Sequence, residues 1–202
     1  MFRSFVAALL LLGSAAAVAA PVTISRTFSG NDCAGVFGRP FATCQIADNN
    51  TNVSDVIAQF SPNGVLTDSN PTYSTFDGSE ITINGGSGST GTWSYNPGVG
   101  DPGIRFWAAK AGPSFTLFWQ VDDSLTVSGG VCDLSADVFN LACLQAAQVV
   151  TAGTWSTPGG RDLSHMTFYD TTAPVPLPAA AWFFLTGLGS LLYVRRRKRS
   201  TG

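Results

Sequence analysis

The sequence predicts an all-β fold, an antiparallel β-sandwich or jelly-roll-like ectodomain, set between an N-terminal signal peptide and one C-terminal transmembrane helix. Three observations predict it. Clusters of Gly, Ser, Thr, Asn and Asp punctuate short runs of alternating apolar and polar residues, and helix-period stretches are scarce. Four cysteines, at 33, 44, 132 and 143, form an even set in a chain that opens with a secretory pattern. Both ends of the chain are apolar runs flanked by basic residues, whereas the stretch between them is polar and acidic.

The N-terminus has the three parts of a signal peptide: Met1-Phe2-Arg3, an apolar stretch from Phe5 to Leu12, and a small-residue segment from Ala15 to Ala20. Ala17-Val18-Ala19 fits an A-x-A cleavage site, which places processing after Ala19 and assigns residues 1–19 to the signal peptide. The apolar run is shorter than the roughly 20 residues a membrane span needs, so an uncleaved anchor is the weaker reading. The exported domain then occupies residues 20–173, enough chain for one domain with its own core.

All thirteen acidic residues fall between Asp32 and Asp170, against Arg26, Arg39, Arg105, Lys110 and Arg161, a net charge of −8 for the domain. Such a surface repels phosphate backbones, so no nucleic-acid partner is expected.

Exported chains meet an oxidising compartment, and four cysteines there predict two disulfides. Each of the pairs 33/44 and 132/143 has ten residues between its members, which favours local closure, although the spacing alone leaves three pairings open. Zinc sites use closer cysteine pairs and more histidine than the single His165 offers.

Strands are expected at Val53–Phe60, ended by Ser61-Pro62-Asn63-Gly64, and at Ser79–Asn84, whose isoleucines share a face. The centre is a β-hairpin from Ile104 to Val121, turned by Lys110-Ala111-Gly112-Pro113-Ser114. There Ile104, Phe106 and Ala108 alternate with Arg105, Trp107 and Ala109, and Phe115, Leu117, Trp119 and Val121 alternate with Thr116, Phe118 and Gln120. One face is apolar throughout. The other mixes Trp107 and Phe118 with polar residues, so a second layer covers it or it meets solvent. Gly91-Thr92-Trp93-Ser94 recurs as Gly153-Thr154-Trp155-Ser156, which reads as two strands each carrying a core tryptophan into a turn. Leu134, Val138 and Leu141 predict a short helix capped by Asp133.

No catalytic, cofactor-binding or metal site is predicted. His165 lies on an alternating strand, where a structural or surface role is expected. Asp122 and Asp123 point to opposite faces if both are in a strand. Glu80 is the one glutamate, and no second carboxylate is spaced to pair with it as glycoside hydrolysis requires. Asp48-Asn49-Asn50-Thr51-Asn52 has the acidic start of a calcium loop, but Val53 and Gln59 stand where an EF-hand needs Gly and Glu; a looser calcium turn is left open. Exposed Trp107 and Phe118 would suit stacking on sugars, which makes an exopolysaccharide-binding module the alternative function.

The C-terminal segment, residues 174–202, is the most specific part of the chain. Val175, Pro176, Leu177, Pro178 and Ala179 form a proline-stiffened motif within residues 174–179. Ala179 to Val194 follows as sixteen uncharged residues, covering about 24 Å as a helix, with Trp182 and Tyr193 near its ends. Arg195, Arg196, Arg197, Lys198 and Arg199 form a basic stop that stays cytoplasmic and leaves the rest of the chain outside. Motif, span and arginines together resemble the VPLPA variant of the PEP-CTERM sorting signals of Gram-negative bacteria. The resemblance implies processing by an exosortase, a multi-spanning membrane protein with a cysteine-type transpeptidase site. It implies a precursor held in the inner membrane and a mature form at the cell surface or in the extracellular matrix. Leu177 stands where the commoner signals have glutamate, which implies a variant-specific enzyme. More loosely, Asn31-Asp32-Cys33-Ala34-Gly35, Lys110-Ala111-Gly112 and Leu163 to Tyr169 look like ectodomains that precede such tails, for which no chemistry is implied.

Overall fold

The structure, a computed structural model, describes residues 20–38 and 40–171. The expected signal peptide, sorting motif, membrane span and basic stop lie outside the described residues. Among those described, no helix is long and apolar enough to cross a membrane. The elements are β1 (Pro21–Ser29), β2 (Gln45–Asp48), β3 (Thr51–Phe60), β4 (Leu66–Ser69), β5 (Ile81–Asn84), β6 (Thr90–Tyr95), β7 (Gly103–Ala111), β8 (Ser114–Asp122), α1 (Leu141–Gln145), β9 (Ala152–Ser156) and β10 (His165–Thr171), with three short 3-10 turns. The fold is all-β and its named sheets are antiparallel.

The larger sheet runs β1-β8-β7-β10-β3-β2, with β4 also on β3; the smaller runs β5-β6-β9. β10, the last of the described strands, is central, paired to β7 on one side and β3 on the other. Pro21 pairs with Asp122 at the end of β8, and Thr171 with Gly103 at the start of β7. Both ends of the domain therefore leave from one end of the sheet, three strand spacings or about 14 Å apart.

Alternation along the central strands fills two cores. One face of the large sheet supplies Phe106, Ala108, Phe115, Leu117, Trp119 and Tyr169, and the disulfide-bearing loops cover it with Cys33, Phe37, Cys132, Cys143 and Leu144. The other face supplies Phe60, Trp107, Ala109, Phe118, Met166 and Phe168, covered by Ile81, Trp93, Tyr95 and Trp155 of the small sheet. The large sheet thus has a layer on each side. Its central strands read as nearly continuous apolar runs because both of their faces are buried.

Three local expectations change. Ile104 joins Trp107 and Ala109 rather than Phe106 and Ala108, because the register slips by one residue between Tyr169 and Asp170. A second slip, against β3, lies between Phe168 and Tyr169, so β-bulges flank Tyr169 on both partners and bend the sheet there. The hairpin turn is tighter than five residues: Ala111 pairs with Ser114, leaving Gly112 (φ 54°) and Pro113. The short helix begins at Leu141 and its cap is Asn140, whose side chain accepts from Cys143 N at 3.0 Å. Asp133 instead accepts from Ser135 and Gly129, a local turn that competes with helix formation.

Candidate functional site

The most concentrated polar chemistry lies where the loop after β1 meets the first half of β10. Asp32 precedes the disulfide-bonded Cys33, and its carboxylate is fully buried. His165, Thr167 and Tyr169 occupy alternate positions of β10, so all three face this loop. His165 Nε2 lies 3.2 Å from Asp32 Oδ1, and the Tyr169 hydroxyl donates to Asp32 Oδ2 at 3.4 Å. Thr167 and the Cys33 N–H act on the same carboxylate more weakly. Burial by itself raises the Asp32 pKa; the His165 hydrogen bond and charge, with the Thr167 and Cys33 donors, outweigh it and hold the acid below its ordinary range. Tyr169 moves the opposite way, pushed up first by burial and then by the Asp32 charge, and so stays a phenol that donates.

Asp32 is therefore a buried anion held by the His165 ring nitrogen and the Tyr169 hydroxyl. Such an arrangement fastens the first disulfide loop to the central strand. It differs from a hydrolytic triad, in which a hydroxyl bonds the imidazole: here the Tyr169 hydroxyl bonds the carboxylate. On the adjacent strand Gln59 lies directly opposite Thr167, with its Nε2 3.5 Å from Thr167 Oγ1. On the other side Lys110 pairs with His165 in register; it is buried, and its ammonium donates to the Gly112 carbonyl.

A second cluster lies on the opposite face of β10. Asp170 is buried there, its charge acting on Arg105 and on the Tyr73 hydroxyl. The Tyr73 hydroxyl is pushed far up by burial, then by Asp170. Ser54 donates to the Asp170 carbonyl.

The cysteines pair locally, Cys33 with Cys44 and Cys132 with Cys143, and no cysteine is free among the described residues. Asn49 (φ 47°) and Asn50 (φ 64°) form the two-residue turn between β2 and β3, the backbone of a type I′ hairpin. Asp48 turns its carboxylate to Leu141 N at 2.8 Å, and no group of three His, Cys, Asp or Glu suited to a metal is found among the described residues. Asp122 and Asp123 part company at a 3-10 turn, where Asp122 accepts from Ser124 N. Glu80 accepts from Gly78 N within its own turn. Trp107 is fully buried, donates to the Thr154 carbonyl at 2.8 Å and stacks on buried Phe118, their centroids 5.7 Å apart. Neither ring is placed to stack on a sugar.

Sequence reasoning missed Asp32, Thr167, Tyr169 and Gln59. Two signals were present: an acid next to a disulfide cysteine, which must enter the core with it, and the imidazole, hydroxyl and phenol at every second position of β10. The 133 residues between Asp32 and His165 hid their meeting.

No protein-family model, no curated protein and no solved structure matches this chain.

Proposed function

We propose that the chain is an exported cell-surface or extracellular-matrix protein. Its β-sandwich domain, residues 20–173, binds or spaces material and turns over no external substrate. Residues 174–202 hold the precursor in the membrane and present it to an exosortase-type transpeptidase. The observation that carries the reading is the complete local pairing of the described cysteines into two disulfides, a usage typical of chains that fold in oxidising compartments. The exit of both domain ends at one end of the sheet suits a domain carried on a single membrane-proximal stalk.

The tail supports the sorting step physically. Proline at 176 and 178 disfavours helix at these positions, which would leave the backbone open to a protease at the membrane surface. The span and Arg195–Arg199 fix that segment's depth. The plainer possibility is a permanent single-pass anchor. Intact-mass measurement of the protein recovered from the cell surface separates the two. Processing near Pro178 yields a species without Arg195–Arg199; a mature protein that retains them, or processing indifferent to replacement of Pro176 and Pro178, leaves only the anchor. The exopolysaccharide-binding alternative, which rested on Trp107 and Phe118, has lost both rings to the core.

A further inference from the structure

We propose that the free edge of β1 is a self-association surface, on which a second copy of this chain sets its own β1 antiparallel so that the two large sheets become one. β1 closes one side of the large sheet, and among the described residues no strand lies beyond it. No other edge of the described strands is like it. β2, β4 and β5 are four residues each and β9 is five, and the pairings of β2 and β4 with β3 are each broken by a register shift. Short, irregular edges discourage pairing with other chains. β1 instead runs nine residues in unbroken register against β8, with no lysine and no proline after its first position.

The register shows which backbone groups face outward. Ala111 and Ser114 flank a two-residue turn and form a hydrogen-bonded pair, so alternate residues from Ser114 onward bond β7. Phe115, Leu117, Trp119 and Val121 therefore bond β1, through Phe28, Arg26, Ile24 and Val22. Gly30 N donates to the Pro113 carbonyl at 2.7 Å and continues the same ladder. The N–H and C=O groups of Thr23, Ser25, Thr27 and Ser29 are left pointing away from the sheet, on residues that are all exposed. Among the described residues no loop carbonyl accepts from these N–H groups.

The strand fits a copy of itself. Placing Ser25 opposite the second copy's Ser25 pairs Thr23 with Thr27 and Val22 with Phe28, each twice by the two-fold symmetry. Every outward N–H then meets a carbonyl, and Pro21, which has none to give, falls at the end opposite Ser29. Arg26, the one charge of the strand, faces the second copy's Ile24. Moving the axis one residue later sets Arg26 against Arg26; moving it one earlier carries Ser29 past the second copy's Pro21. Charge and hydrogen bonding thus select one axis. It stands perpendicular to the sheet, so the two chains leave the pair at opposite ends. On the surface-protein reading this suits copies released into a matrix more than neighbours on one bilayer; the pairing itself does not depend on that reading.

The test is sedimentation equilibrium of the full chain in detergent micelles, which impose no bilayer orientation. Wild type should pass from monomer to dimer in about the micromolar range, as small interfaces do. Ser25→Pro removes an N–H that the sheet does not use and should abolish the dimer, with the near-ultraviolet circular dichroism unchanged. Thr23→Lys with Thr27→Glu sets opposite charges across both copies of that pair, whereas Thr23→Lys with Thr27→Lys sets like charges. The first variant should dimerise about tenfold more tightly than the second. Within one chain the two positions are about 13 Å apart along the strand, so the contrast reads pairing between copies. Should Ser25→Pro fail to fold, this contrast decides. A wild type that stays monomeric, association indifferent to Ser25→Pro, or equal affinities for the two charge variants overturns the proposal.

Discussion

Gly153 lies directly opposite Trp93 in the register of β6 and β9, and the relation is reciprocal, since Gly91 lies opposite Trp155. The two copies of Gly-Thr-Trp-Ser are antiparallel neighbours with Thr92 paired to Thr154 at their centre. Each glycine is the socket for the other copy's indole. A Cβ on Gly153 would come 2.7 Å from Trp93 Nε1 and 2.8 Å from Trp107 Cζ2. One on Gly91 would come 2.5 Å from Trp155 Cζ2. Close approach, and not backbone conformation, requires glycine here, because neither has a positive φ.

Replacing Gly153 by Ala should therefore destabilise the protein by about 1–3 kcal/mol, the usual cost of overpacking a filled core. Trp93→Ala should cost about 3–5 kcal/mol through the cavity it leaves. Urea unfolding followed by tryptophan fluorescence measures both. An unchanged midpoint for Gly153→Ala would mean that β6 and β9 are not in this register.

How much of this was legible turns on whether the signal was local. The hairpin of β7 and β8 was, because alternation over many residues survives any error at its ends. Ile104 was placed on the wrong face because a one-residue bulge reverses alternation without leaving a mark in composition. The Trp93 and Trp155 segments were legible as strands, but their pairing with each other was not, since steric fit between Gly and Trp shows only when the strands are adjacent. The helix was drawn too early because Asp133, a plausible cap, satisfies a turn instead, while Asn140 caps the actual start. The Asp32 cluster depends on contacts spanning 133 residues. No periodicity reports contacts of that kind.

Asp32 should make the protein acid-sensitive. Its folded pKa is held below the ordinary carboxyl value, so it contributes stability that is fully present above about pH 4 and lost as pH falls through the depressed folded value. Asp32→Asn should cost about 2 kcal/mol near neutrality, the range for a buried hydrogen-bonded charge. The gap between wild type and variant should narrow steadily below pH 4. Exposed Asp77, Asp122 and Asp133 shift in the same direction in both proteins, so thermal midpoints compared at matched pH isolate Asp32. A gap that is constant from neutral to strongly acidic pH would remove the carboxylate's charge from the account.

The disulfides should stabilise separately. Each spans a sequence separation of 11 and closes a loop worth about 3 kcal/mol on the chain-entropy model. Cys33→Ser with Cys44→Ser should also loosen the loop that delivers Asp32, so it should cost more than Cys132→Ser with Cys143→Ser. Denaturant titrations of the two double variants give the comparison, and equal losses would argue that the Asp32 loop is held without its disulfide.

The position of β10 makes the domain's folding depend on its last strand. Residues 165–171 lie between β7 and β3, and Met166, Phe168 and Tyr169 are all fully buried, contributing to both cores. Losing a buried side chain of this size costs about 2–5 kcal/mol, so losing three is comparable with the whole of the roughly 5–15 kcal/mol that typically holds a domain together. On the export reading, the large sheet cannot close until residues 165–171 have cleared the membrane, and the chain stays unfolded throughout its translocation. A chain ending after Ser164 should lack the near-ultraviolet circular dichroism of packed Trp93 and Trp107 and should be digested rapidly by protease. One ending after Thr171 should show the native spectrum and resist. A synthetic peptide of residues 165–171, added to the shorter chain, should restore part of the signal by filling the vacant central position, as strand addition does at other open sheets. A native spectrum from the Ser164-terminated chain without that peptide would show that β10 is dispensable and that the central placement is wrong.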